Sequence, residues 1–321
     1  MTTIAGPTPV DTVRLAAIVA RLYHVHGVRQ REIAVRLEVS QARVSRLLRQ
    51  AEEAGIVRTV IAVPEGLHPD LEDAVEERFG VAQVHVVDVP TGADLAASLG
   101  RAAARQLGEV LAGATTIGFT SWSITLQEMA FALREQSRTS SRRVVEMLGD
   151  LGSPALQHAA ARSTQAVARA MGAEPVFLRT PGVSASPDLR AAALRDAHVQ
   201  RALGLLDDLD VALVGVGPAA VHSQLRAGDS YFSPAQLAGL RRAGAAGQLN
   251  QRFFDDSGRA LPTELDDLVV GVTLDQLATA RRRVVVAGGA DKHAPLRAAL
   301  RGGWIDVLVT DPVTAGYLAG G

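Results

Sequence analysis

Residues 30–49 read QREIAVRLEVSQARVSRLLR, and their spacing is that of a helix-turn-helix. Ile33, Ala34 and Leu37 fall on one face of a short first helix, Val39 sits in the turn, and Val44, Leu47 and Leu48 fall on one face of a second helix. Small Ala34 faces the partner helix, where a larger side chain would push the two apart. Ser40 is placed to N-cap the second helix, satisfying backbone N–H groups that lack an intrahelical acceptor. The opposite face carries Gln41, Ala42, Arg43, Ser45, Arg46 and Arg49. Such side chains read base edges or hold phosphates. The stretch predicts double-stranded DNA as a ligand, which the net charge of −1 alone would not.

Working outward, Asp11 to His26 has Leu15, Ile18, Val19 and Leu22 at helical spacing, which predicts a third helix backing the pair. The second helix of the motif runs on to Ala54 and stops at Gly55. Ile56 to Val63 (IVRTVIAV) is short and β-branched and predicts a wing strand. Pro64, Glu65, Gly66 and Pro69 then punctuate a linker over 64–70. A winged helix-turn-helix domain over 1–63 is therefore expected. It holds 9 Arg against 5 Asp and Glu, while the remainder of the 321 residues carries 24 basic and 29 acidic side chains. A basic head on an acidic body fits a DNA-binding unit joined to a ligand-binding one, although a chance imbalance gives the same count.

The chain has no cysteine, so disulfides, thiol nucleophiles and Cys-held metals are excluded. Its N-terminus, MTTIAGPTPVD, has neither the basic nor the apolar segment of a signal peptide, and no apolar run reaches bilayer length. A cytoplasmic protein without membrane contact is expected. The eight His form no ligand-spaced cluster, and His222 and His293 are isolated. No metal, cofactor or catalytic residue is expected. Lysine occurs once, at Lys292, and every other Lys/Arg position is Arg.

From residue 71 to 321 the pattern changes. Apolar runs at 83–89, 115–119, 144–148, 176–178, 211–217, 283–289 and 306–311 alternate with Ala- and Leu-rich helical stretches. Near-continuous Val, Ile and Leu suit strands buried on both faces of a mainly parallel sheet, hence an open α/β domain. Such sheets bind ligands at the C-terminal ends of their strands. Four strand-end loops are candidates: Gly118–Ser123, Gly149–Gly152, Gly215–Pro218 and Ala287–Lys292. The first has hydroxyls and free N–H groups at a helix start, suited to phosphate or to ordinary capping. The fourth places the single lysine beside a Gly-Gly strand end.

These pieces together resemble the SorC/DeoR-like family of bacterial transcriptional regulators with a sugar-binding effector domain. The likeness runs from about Val13 to Leu318 and is carried by residues 21–57, by IGFTSWSITL (117–126), by GQLNQRFFDDSG (247–258) and by VVVAGGADKHAPLRAALRGGWIDVLVTD (284–311). It implies a body with a sugar-phosphate isomerase-like fold, a phosphorylated sugar or polyol effector, and a homodimer or homotetramer on operator DNA. Carried over residue by residue, it implies Gly118, Thr120, Ser121 and Ser123 as phosphate ligands, with Arg252, Asp255 and Lys292 as further effector contacts. Two positions depart from the family pattern. Gln248 stands where an acidic residue is usual, and Glu38 stands where the motif's turn often has glycine.

The residues then support two functions. One is a regulator whose recognition helix enters the major groove, with Gln41 reading adenine, Arg46 reading guanine, and Arg43 and Arg49 on phosphates. Ser40 and Ser45 complete that face. The other is a sugar-phosphate isomerase- or deaminase-like enzyme with an attached DNA-binding head, using Lys292 as a Schiff-base amine and Asp255 or Asp256 as base. No nucleophile and base stand at a recognisable spacing, and the regulator is the expected class.

Overall fold

The computed structural model describes residues 9–58, 64, 66–134, 142–220, 225 and 231–320. The chain divides into two compact units, 1–63 and 64–321.

The first unit is built from α1 (Pro9–Ala20), α2 (Gln30–Arg36) and α3 (Gln41–Glu53). Ile33, Ala34, Val44, Leu47 and Leu48 are buried between them, as the spacing predicts, while Leu37 is half-buried and Ala51 joins the buried set. One expectation fails on α1. Its inward face is Ala16, Val19 and Ala20, while Ile18 is 41% exposed. Two alanines let α1 approach α3 closely, and a widened helical turn over Arg21–Val25 then ends the element. Ser40 caps α3, its hydroxyl accepting from Arg43 N at 3.3 Å. Glu38 holds φ 53, so the turn keeps a left-handed residue without glycine. That conformation costs an L-residue roughly 1–2 kcal/mol. Residues 59–63 of the expected wing strand lie outside the described residues, and Ile56–Arg58 form no strand.

The second unit begins with α4 (Pro69–Phe79), which starts inside the expected linker. Then come β1 (Gln83–Val86), α5 (Leu95–Gln106), α6 (Gly108–Ala112), β2 (Thr116–Phe119), α7 (Ile124–Ala132), β3 (Arg143–Glu146), α8 (Pro154–Met171) and β4 (Glu174–Val176). The chain continues through α9 (Pro187–Ala193), α10 (Ala197–Gly204), β5 (Val211–Val214), β6 (Val216–Gly217), α11 (Pro234–Arg242), β7 (Gly247–Leu249) and β8 (Arg252–Phe254). It ends with α12 (Leu274–Thr279), β9 (Arg282–Val286), α13 (His293–Arg301), β10 (Val307–Thr310) and α14 (Pro312–Gly320).

Seven strands form one sheet in the order β1-β10-β9-β5-β2-β3-β4, and every pairing is parallel. Alternate residues of each strand feed two cores. Ile117, Phe119, Val211, Leu213, Val284 and Val286 pack beneath α5, α7 and α8. Ala212, Val214, Val285 and Leu308 pack beneath α4, α12, α13 and α14. The fourth run is displaced: β4 takes Glu174–Val176 rather than 176–178. Pro175 is tolerated there because β4 is an edge strand. The run 211–217 splits into β5 and β6, and β6 leaves the main sheet to join β7 and β8 in a small antiparallel sheet.

Glu146 ends β3 and is buried. It accepts from Thr164 Oγ1 at 2.9 Å and from Leu178 N at 3.0 Å, tying α8 and the segment after β4 to the sheet. Burial raises its pKa above the ordinary 4.5, against the lowering effects of the Leu178 N–H and Arg179. Between 4.5 and that raised value the folded state holds more proton than the unfolded one, so this group's contribution falls as pH rises through the window. Glu146→Gln is expected to flatten stability against pH there with little loss at neutral pH. Glu146→Ala, which leaves the Leu178 N–H unpaired, is expected to cost about 1–3 kcal/mol. Urea unfolding across pH checks both.

Candidate functional site

On the head, Ser40, Gln41, Ala42, Arg43, Ser45, Arg46 and Arg49 are all exposed, while Val44, Leu47, Leu48 and Ala51 of the same helix are buried. One helix thus turns a polar, cationic face outward. Arg46 lies back along it, its Nε donating to Ala42 O at 3.4 Å.

On the body, a cavity of about 350 Å³ opens at the C-terminal ends of β2, β5 and β9. The chain leaves β2 into α7, under one face of the sheet, and leaves β9 toward α13, under the other. The connections of the two strands that flank β5 thus go to opposite faces, and a crevice opens at such a place. Three of the four loops singled out from sequence contribute broadly: Thr120, Trp122 and Ser123; Gly215 to Pro218; and Ala287, Gly288, Asp291 and Lys292. The fourth, after β3, contributes Leu151.

Among the described residues, Lys292 is the only basic residue in the lining and Asp291 the only acidic one. Lys292 Nζ lies 3.2 Å from Asp291 Oδ2, and the Asp291 side chain is 68% exposed. An exposed pair of this kind is weak and yields to a better-placed anion. The turn carrying Lys292 is held from beneath by buried Asp311, which accepts from Gly289 N at 3.0 Å and from Thr314 N at 2.9 Å. Across the cavity, Ser123 caps α7, accepting from Leu126 N at 3.4 Å. Ile124 and Thr125 also line the cavity, and N–H groups of a first helical turn have no intrahelical acceptor. Thr120 Oγ1 donates to Asn250 Oδ1 at 2.9 Å. Trp122 Nε1 donates to Gly149 O at 3.1 Å, fixing one wall.

Of the residues implied for the effector, Thr120, Ser123, Gln248 and Lys292 come together around this cavity. Four others do not line it. Gly118 lies within β2, where a Cβ would press on Met147 Sδ at 2.6 Å, so its smallness serves packing below the sheet. Ser121 is buried outside the lining, its carbonyl accepting from Gln127 Nε2 at 2.7 Å. Arg252 is buried and donates to Asp266 Oδ1 at 2.9 Å, Asp266 O at 3.1 Å and Val272 O at 3.2 Å. Burial lowers its pKa against the effect of Asp266, and its role is to tie residues 266–272 to β8. Asp255 accepts from Ser257 Oγ at 2.6 Å and from the backbone of Ser257 and Arg259 at 3.0 Å, closing a turn. The Ser257 hydroxyl is the main cause of its lowered pKa. His222 lies outside the described residues. His293 stacks on Tyr317 at 4.3 Å.

Sequence reading missed Asn250, Gln251 and Tyr231, which also line the cavity. Tyr231 OH donates to Gln251 Oε1 at 2.8 Å, and burial pushes its pKa up to about 12, so it stays a phenol. The signal for the first two was a two-residue break, Asn-Gln, between the short runs GQL and RFF.

The family model described as "Putative sugar-binding domain" matches residues 67–319. The deoxyribonucleoside regulator of Bacillus subtilis (strain 168) is 30% identical over 305 residues, covering 94% of this chain and 96% of that protein. The sorbitol operon regulator of Klebsiella pneumoniae is 26% identical over 311 residues, covering 96% and 98%. The crystal structure of the full-length sorbitol operon regulator SorC from Klebsiella pneumoniae matches with a TM-score of 0.73 at 25% identity, over 96% of this chain and 99% of that one. With a family model spanning most of its body and relatives matched over nearly its whole length, the chain belongs to the SorC/DeoR-like family of regulators with a sugar-binding domain.

Proposed function

We propose that this protein is a DNA-binding transcriptional regulator whose operator binding is controlled by a phosphorylated sugar or polyol phosphate held in the cavity of its second unit. The observation that carries the reading is the cavity's charge pattern. A helix N-terminus and a single lysine face a mostly apolar crevice at the strand ends. The relatives' names, a sorbitol operon regulator and a deoxyribonucleoside regulator, support effectors of sugar type. The phosphate lies against the start of α7, taking N–H groups of Ile124 and Thr125 and the Ser123 hydroxyl, in the field of Lys292. The first unit serves as the helix-turn-helix head, and the body has a sugar-phosphate isomerase-like fold. The protein works in the cytoplasm as a homodimer or homotetramer, and paired heads require a repeated operator. No helix among the described residues is long and apolar enough to cross a membrane.

The enzymatic alternative relied on Asp255 or Asp256 as base beside Lys292. Asp255 closes a turn away from the cavity, and Asp291, the one carboxylate of the lining among the described residues, pairs with Lys292. Thermal denaturation against a panel of sugar phosphates and their unphosphorylated parents tests the proposal. At a ligand concentration 100 times Kd, binding adds about 2.7 kcal/mol, so at least one phosphate is expected to raise the Tm by several degrees while its parent does not. Turnover of any panel member at an enzymatic rate, or stabilisation by free sugars alone, contradicts it.

A further inference from the structure

The β7–β8 hairpin closes through two residues, Asn250 and Gln251, with φ 48 and 65. Two successive left-handed residues make a type I′ turn, which usually takes Asn-Gly. Here neither is glycine, and side chains hold the turn instead. Gln251 N donates to Gln248 Oε1 at 2.9 Å, Gln251 Oε1 accepts from Tyr231, and Asn250 Oδ1 accepts from Thr120.

This arrangement decides which end of each amide remains for a ligand. A backbone N–H can only donate, so the oxygen of Gln248 is committed to Gln251 and its Nε2 is left as a donor. A Cβ placed on Gly217 would lie 3.2 Å from that Nε2 and 3.8 Å from Lys292 Nζ. The two nitrogens therefore converge on the space that residue 217, lacking a side chain, leaves open. Neither accepts a hydrogen bond. Asn250 Nδ2, in the same wall, is buried and has no hydrogen-bond partner among the described residues, which adds to the surplus of donors. A sugar hydroxyl set there could accept, but its own proton would find no acceptor on either nitrogen, and the nearby Asp291 carboxylate is already paired with Lys292 Nζ at 3.2 Å. A carboxylate accepts only, through two oxygens, and its bonds to an ammonium are charge-assisted.

The phosphate position proposed above lies a short step away. A Cβ on Gly215 would lie 3.0 Å from Ser123 Cβ, so the α7 start stands over Gly215 as the Gln248–Lys292 pair stands over Gly217. Two residues of extended chain span roughly 7 Å, the length of a short carbon chain.

We infer that the effector is a phosphorylated sugar acid, with its phosphate at the start of α7 and its carboxylate between Gln248 Nε2 and Lys292 Nζ. This rests on the reading that the cavity holds a phosphorylated sugar. It assigns Gln248, in place of the usual acidic residue, the task of selecting an acid over a polyol.

Calorimetry on the full chain tests it with matched pairs differing only at the first carbon: 4-phosphoerythronate against erythritol 4-phosphate, and 6-phosphogluconate against sorbitol 6-phosphate. In at least one pair the acid is expected to bind about tenfold tighter or more. Gln248→Glu keeps an acceptor for Gln251 N but sets a carboxylate against the ligand's own, and is expected to abolish that preference. Polyol phosphates that bind as tightly as the acids overturn the inference and leave the proposed function standing. A preference for acids that persists in Gln248→Glu also overturns it. Failure of both series to bind overturns the inference, while the wider panel of sugar phosphates decides the phosphorylated-sugar reading.

Discussion

Lys292→Ala is expected to weaken effector binding by roughly tenfold to a hundredfold, the range for losing a hydrogen bond to a charged group. Operator affinity without effector is expected to stay at the parent value. Among the described residues Lys292 is the only cation in the cavity lining, so none of them replaces its charge. Its removal spares the fold. Lys292 precedes α13 without making a side-chain cap bond, and its one ion pair among the described residues is to largely exposed Asp291. The proposed DNA-binding face belongs to a unit with its own core, from Ala16 and Val19 through Ile33 to Leu47 and Ala51. Calorimetry with the stabilising sugar phosphate, and fluorescence anisotropy with labelled operator, separate the two effects. Unchanged effector affinity in Lys292→Ala removes the cavity assignment.

On the head, Arg46→Ala or Gln41→Ala is expected to cost about 1–3 kcal/mol of operator affinity and to relax base preference at one position. Both side chains are exposed, so the loss reports on DNA contact rather than folding. Arg43→Ala or Arg49→Ala is expected to weaken binding to all sequences alike and to lower the salt slope by about one counterion. Anisotropy titrations over a series of salt concentrations and operator variants distinguish the classes. If Arg46→Ala binds its operator as tightly and selectively as the parent, the recognition face is misassigned.

Much of this was legible in the sequence because it depends on local periodicity. The buried faces of α2 and α3 follow helical spacing, and β2, β5, β9 and β10 follow runs of Val, Ile and Leu that both faces of a parallel sheet demand. The Ser40 cap is a local feature of the same kind. Lys292 stood out as the single lysine and by its place at a Gly-Gly strand end. Features set by distant partners were not legible. Arg252 and Asp255 have the chemistry of ligands, yet one is claimed by Asp266 and Val272 and the other by its own turn. Ile18 has helical spacing, but Ala16 and Ala20 win the inward face because they allow closer packing. The β7–β8 hairpin has three-residue strands and no glycine in its turn, so only the two-residue break Asn-Gln marked it. Its Asn250 and Gln251 were missed for that reason.

Coupling between the two units is the central claim, and one measurement reaches it directly. A sugar phosphate that raises the Tm is titrated into a complex of the full chain with labelled operator DNA, followed by anisotropy, beside the same titration with its unphosphorylated parent. An effector acts only through a difference in affinity between DNA-bound and free states. The account predicts that the phosphate shifts operator Kd about fivefold or more, within the usual range of allosteric coupling, and that the parent sugar does nothing. An operator Kd unchanged at saturating sugar phosphate would contradict it.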